Sequence, residues 1–141
     1  MNAPQAISHA VLTAGLLALT TCSSASSSSP AMDASTTCLA SGTLTVTNNG
    51  MSAYVINQAS NPSLTFCRGN TYVFSLNASG HPFYIKTVQS TGTADAFNSG
   101  VTGNGTEVGN VTFVVPSTAP DPLYYNCSLH AAMSGLIHII D

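Results

Sequence analysis

Hydrophobic and polar residues alternate in short runs along most of the chain. Tyr72, Phe74 and Leu76 share one face of an extended segment, and so do Val111, Phe113 and Val115. A period of two residues is that of a half-buried β-strand. Strands are therefore expected at Thr43–Thr47, Ser52–Asn57, Ser63–Phe66, Asn70–Leu76, Pro82–Val88, Asn110–Val115, Pro122–Cys127 and Gly135–Ile140. No window carries a helical period. Asn49-Gly50 and Asn104-Gly105 favour hairpin turns, because both residue types accept positive φ. Pro116, Pro120 and Pro122 stiffen the approach to the penultimate strand. The polar, Gly-rich stretch from Gln89 to Gly109 receives no assignment. Eight short strands in roughly 100 residues predict an all-β fold, a Greek-key β-sandwich.

The first 37 residues follow a different pattern. Val11 to Leu19, VLTAGLLAL, is an apolar run. It is too short to span a bilayer, which takes about 20 residues, and suits the core of a secretory signal, although no Lys or Arg precedes it. Cys22 follows Leu19-Thr20-Thr21, which resembles a bacterial lipoprotein box with an unusual Thr21. A signal peptide is expected over residues 1–22, with lipidation of Cys22 and ordinary cleavage both open. Residues 23–37 are Ser-rich and read as a flexible linker; a disordered N-terminus with no anchor is the plain alternative. The folded domain is expected over 38–141. Its expected location is outside the cytoplasm, periplasmic or held at the cell surface by a lipid.

Charge narrows the partners. Only 5% of the chain is charged, with two Lys or Arg, five Asp or Glu and a net charge of −3. The fixed cations are Arg68 and Lys86. A nucleic-acid binder needs clustered cations to neutralise phosphates, and a polybasic membrane patch needs the same. Both are excluded.

The end of the chain, YYNCSLHAAMSGLIHII, carries the chemistry. Cys127, His130 and Met133 follow one another at a spacing of three, between two expected strands. A thiolate, an imidazole and a thioether on one loop can wrap one ion from one side, and two soft sulfur donors with imidazole favour copper over magnesium, calcium or manganese. His81 is the best fourth donor. It lies in phase with Phe83 and Ile85, while Leu123, Tyr125 and Cys127 share a face on the later strand. Both strands can point a ligand at the same end of a sandwich.

At these residues the sequence resembles the cupredoxins, the blue copper proteins, from about Thr43 to Asp141. The family pattern is an upstream His, then Cys, His and Met on one loop before the last strand. CSLHAAM is most similar to an amicyanin-type loop. The resemblance implies one copper ion, with His81, Cys127 and His130 equatorial and Met133 as the long axial ligand. It also implies a one-electron carrier, not an enzyme, acting as a monomer that meets redox partner proteins transiently. His130 would be the electron port, in an apolar patch of Pro82, Phe83, Ala131, Ala132 and Met133. One position departs from the pattern. The residue after the upstream His is usually an Asn that ties the two ligand-bearing strands together; here it is Pro82, and Asn126 is the candidate substitute.

Plainer readings stand beside this one. A Cys in an exported protein is usually in a disulfide. With Cys22 lipidated or removed, Cys38 and Cys67 can pair and leave Cys127 as an odd thiol; pairing of Cys127 with Cys38 or Cys67 is the alternative. Met133 could fill the core, and Met51, in its Asn-Gly turn, reads as a surface residue. His138 reads as structural or surface. Asn77, Asn104, Asn110 and Asn126 begin Asn-x-Ser/Thr triplets of the kind that arise by chance in such a chain. An oxidase would need further His-rich copper centres, and only His9 and His138 remain. Copper buffering or delivery through the same ligands stays open, as does a metal-free secreted binding module.

Overall fold

The computed structural model describes residues 37–141, so the signal peptide, Cys22 and nearly all of the linker lie outside the described residues. Ten strands are found within them. They are β1 (Gly42–Asn49), β2 (Ala53–Ile56), β3 (Ala59–Ser60), β4 (Leu64–Cys67), β5 (Thr71–Asn77), β6 (Phe83–Lys86), β7 (Val101–Thr102), β8 (Val108–Val114), β9 (Leu123–Cys127) and β10 (Ser134–Ile140). One sheet has the order β3-β2-β1-β5-β8-β7, the other β4-β10-β9-β6. The β1–β5 and β4–β10 pairs are parallel; the other pairs are antiparallel.

Each alternating run buries the face its period marks. On β5, Tyr72, Phe74 and Leu76 are buried while Ser75 and Asn77 are exposed. Val111 and Phe113 of β8 pack into the same core. The sheets meet through aromatic rings. Phe66 of β4 stacks on Tyr72 of β5 with centroids 3.7 Å apart, and Phe74 of β5 meets Phe83 of β6 at 4.8 Å. Such contacts add to the area they remove from water. The result is a two-sheet β-sandwich around one core. Gly50, at φ +53°, makes the β1–β2 turn, with the Ser52 N–H donating to the Asn49 carbonyl.

All eight expected strands are present with shifted ends. The additional β3 and β7 have two residues each, too few to show a period. Part of the unassigned 89–109 stretch is ordered by side-chain amides rather than by alternation. Asn104 accepts the Ile85 N–H through Oδ1 at 2.8 Å and donates through Nδ2 to the Phe97 carbonyl at 3.0 Å. Those bonds fasten the stretch along the outer edge of β6.

Candidate metal centre

Antiparallel pairing of β6 with β9 sets Phe83 opposite Cys127. His81, two residues before Phe83, therefore projects from the end of the sandwich where β9 runs into its loop. A tight turn presents it: the His81 N–H donates to the Ala78 carbonyl at 3.0 Å, and Glu107 accepts the Gly80 N–H at 2.7 Å. On the other side the loop between β9 and β10 is closed by its own backbone. The Cys127 N–H donates to the Met133 carbonyl at 2.9 Å, and the Met133 N–H to the His130 carbonyl at 3.1 Å.

These two pieces bring three donors together. His81 Nδ1 lies 3.1 Å from His130 Nδ1, and Cys127 Sγ lies 3.5 Å from His130 Nδ1. The donor atoms of His81, Cys127 and His130 all fall within 4.8 Å of one another. Cys127 is wholly buried, His81 nearly so, and His130 partly open. Met133 belongs to the same loop and is fully buried. The Leu129 N–H donates to Cys127 Sγ at 3.4 Å, a bond that favours a thiolate. Donors 3.1 and 3.5 Å apart suit one shared ion, bound at about 2.0 Å by nitrogen and about 2.3 Å by sulfur, the usual lengths for a divalent metal. Two imidazoles and a thiolate in a closed site select a soft or borderline metal.

Cys38 and Cys67 form a disulfide and Cys127 is a free thiol. Met51 is exposed. His138 stands away from the cluster, 3.7 Å from Asp121 at the surface.

Against this geometry stand the comparisons with known proteins. No protein-family model matches the chain, and no curated protein sequence does. Solved structures do. Rusticyanin from Thiobacillus ferrooxidans is similar with a TM-score of 0.52 at 22% identity, over 71% of this chain and 77% of that one. Reduced rusticyanin matches with a TM-score of 0.52 at 19% identity, over 74% and 82% of the two chains. A further structure of the copper protein rusticyanin gives 0.52 at 20%, over 71% and 78%. The fold is that of a cupredoxin. At these identities the likeness concerns the fold, and the donor cluster rests on this chain's own residues.

Two expectations need correction within the cupredoxin frame. Asn126 does not tie the ligand-bearing strands together. Its Nδ2 donates to the Cys127 and Met133 carbonyls, at 3.0 and 3.2 Å, and so clamps the two ends of one loop. The tie runs elsewhere. The Ser128 N–H donates to the Pro82 carbonyl at 3.2 Å, so Pro82 contributes an acceptor where it lacks a donor. Tyr54 on β2 donates its hydroxyl to the His81 carbonyl at 2.8 Å. Burial, with the Cys127 sulfur beside it, pushes that hydroxyl far above the usual tyrosine range, so it stays a donor. The second correction concerns the surface patch. Phe83 and Met133 are fully buried and cannot belong to it, whereas Leu129 is 62% exposed. The apolar surface around His130 is formed by Leu129, Ala131, Ala132 and the partly exposed Pro82.

Sequence reasoning missed Tyr54, and it missed Asn61, whose Nδ2 holds the Ala132 carbonyl at 2.8 Å. Both act across 27 and 71 residues of sequence respectively. Neither carries a local signature.

Proposed function

We propose that this chain is a one-electron carrier that works outside the cytoplasm and holds a single type 1 copper ion through His81, Cys127, His130 and Met133. The convergence of two imidazole Nδ1 atoms and one buried thiol at one end of a cupredoxin sandwich carries this reading. Copper would supply a change between Cu(I) and Cu(II) in a ligand set that suits both.

The protein's part is to keep the donors still. Cys127 and His130 stand on a loop closed by three backbone and amide bonds to Met133 and His130. His81 is fixed by Tyr54 and, through its turn, by Glu107. Cys127 is shielded from solvent, which protects the thiolate from oxidants and competing ligands. His130 alone of the three reaches partway to the surface, so its ring edge is the port. The surface around it is small and apolar. Of the two fixed cations in the described residues, Arg68 is paired with Asp141 and Lys86 is buried. Docking would therefore be weakly steered and brief, as suits a transient redox partner. Four protein donors leave no open position for a substrate, which supports a carrier rather than an enzyme. The Cys38–Cys67 disulfide supports an oxidising compartment; attachment through a lipidated Cys22 is part of the same proposal.

The deciding experiment is addition of one equivalent of Cu(II) to the metal-free protein. A strong thiolate-to-copper absorption in the visible is expected, with reversible one-electron voltammetry. A protein that binds copper without that absorption, or surrenders it at once to a weak chelator, would be a handling protein or no copper protein at all.

A further inference from the structure

Lys86 is one of only two fixed cations in the chain, and it is 0% exposed. Burying an ammonium is costly unless its three N–H groups find acceptors. They find them in one short segment. Nζ donates to the Ser90 carbonyl at 2.6 Å, Ser90 Oγ at 2.8 Å and the Gly92 carbonyl at 3.1 Å, with the Thr91 carbonyl at 3.4 Å sharing one of the three N–H groups. Ser90 Oγ in turn donates to Asp95 Oδ2 at 2.8 Å, which supplies the counter-charge through the hydroxyl. The charge thus folds an otherwise polar loop around itself.

The gathered segment reaches the ligand loop twice. The Gly92 N–H donates to the Ser128 carbonyl at 2.7 Å, next to Cys127. Gln89 Nε2 donates to Ser134 Oγ, and that hydroxyl donates to the Ala131 carbonyl at 3.3 Å. Residues 89–92 therefore brace the loop that carries Cys127, His130 and Met133, at its start and at its end.

We infer that Lys86 is a positioning residue for the metal centre: its buried ammonium orders residues 90–92 so that they hold the Cys127–Met133 loop closed over the donors. The consequence for copper rests on the reading of the previous subsection, while the bracing of the thiol does not. Lys86 touches no donor atom; it acts through Gly92.

The test compares Lys86→Met and Ser90→Ala with the unchanged protein, and with Arg68→Met as a control that loses an ion pair at the far end of the sandwich. Two rates are read. The first is modification of the Cys127 thiol by an aromatic disulfide in the folded, metal-free protein. The second is loss of copper from the loaded protein to a chelator. Both rates should rise about 10-fold in Lys86→Met, the lower end of the effect of losing an outer partner of a metal site. Ser90→Ala should move them in the same direction by less, and Arg68→Met should move neither. The reduction potential should fall in Lys86→Met, where a cation that disfavours Cu(II) is gone, and hold in Ser90→Ala, where the charge stays. Wild-type rates in both brace variants, or the same rates in Arg68→Met at equal loss of stability, would overturn the inference. If Lys86→Met does not fold, Ser90→Ala decides alone. If the unchanged protein takes up no copper, the copper reading fails, and the thiol rates still decide whether Lys86 braces the loop.

Discussion

The two ends of the sandwich use sulfur in opposite ways. Strand β10 runs between them, from Ser134 beside the ligand loop to Ile140, which pairs with Cys67. At the Ile140 end, Cys67 finds a second thiol in Cys38 and the two close a covalent staple. Tyr72 is the hub there, donating to the Leu39 carbonyl at 2.7 Å and accepting the Cys67 N–H at 3.0 Å. Arg68 adds a bond to Asp141 and another to the Ala119 carbonyl. At the other end, Cys127 has no second thiol among the described residues and is met by two imidazoles and an amide N–H. The same residue type is structural where its neighbour is another cysteine and a candidate ligand where its neighbours are histidines. Local polar bonds brace both ends, but only one end leaves donors turned toward a shared point.

If the ends are as separate as this, changes at one should leave the other alone. The largest effect is expected from Cys127→Ser. It should abolish the visible absorption and weaken copper binding by more than the roughly 10–100-fold that follows loss of an outer partner, read by titration against a competing chelator. Replacing Cys38 and Cys67 together by Ser should do the reverse. Stability should fall by about 2–4 kcal/mol, measured by denaturant unfolding of the metal-free protein, while the absorption stays in place. Loss of colour in the disulfide variant would show that the staple reaches the ligand end after all.

Alkali should act more on the ligand end. Burial raises both Tyr54 and Tyr125 above the ordinary tyrosine value, with Cys127 adding to the shift at Tyr54. In the unfolded chain these phenols ionise near pH 10; in the folded chain they do so only at higher pH. Above pH 10 the unfolded state therefore binds fewer protons, and stability declines as pH rises. An unfolding series from pH 8 to 11 should be level at first and fall beyond 10. Met133→Leu is expected to be milder. Loss of a weak donor to Cu(II) should raise the reduction potential and keep the colour. A potential and spectrum both unchanged would remove Met133 from the ligand set.

What could be read along the chain follows from how far each interaction reaches. The strands were legible because alternation is local: Tyr72, Phe74 and Leu76 mark their own face. The closeness of Cys127 and His130 was legible because they lie three residues apart on one loop, which also carries Met133, the proposed fourth ligand. His81 came from phase alone, since Phe83 and Ile85 fix which way it points. The braces were not legible. Tyr54, Asn61 and Lys86 act on backbone carbonyls, and any residue has a carbonyl, so nothing in the sequence says which one they will meet. The tie at Pro82 was misjudged for the same reason: its missing N–H is visible in the sequence, its carbonyl bonded to Ser128 is not. The surface patch went wrong because it was drawn from residues next to His81 and His130 in sequence, and nearness in sequence does not tell Phe83, buried in the core, from Leu129 at the surface.

The finest division between the two ends is one substitution made twice. Tyr54 and Tyr72 are both fully buried, and each donates its hydroxyl to a distant backbone carbonyl. Removing either oxygen leaves that carbonyl without its partner; at the buried His81 carbonyl this costs about 1–3 kcal/mol, and at the more exposed Leu39 carbonyl less. Tyr72→Phe also strips acceptors from the Cys67 N–H and from Asn70 Nδ2, so its stability cost should be at least as large. The difference lies in what else moves. Tyr54 fixes the His81 carbonyl and lies against the Cys127 sulfur, so Tyr54→Phe should shift the copper absorption, quicken copper loss and flatten part of the fall in stability above pH 10. Tyr72→Phe, at the stapled end, should leave colour and copper loss as they were. Two variants of similar stability and different colour would show that the hydroxyl of Tyr54 serves the donors and that of Tyr72 serves the fold. Equal colour in both would mean that His81 is held by its turn and by Glu107 without help from β2.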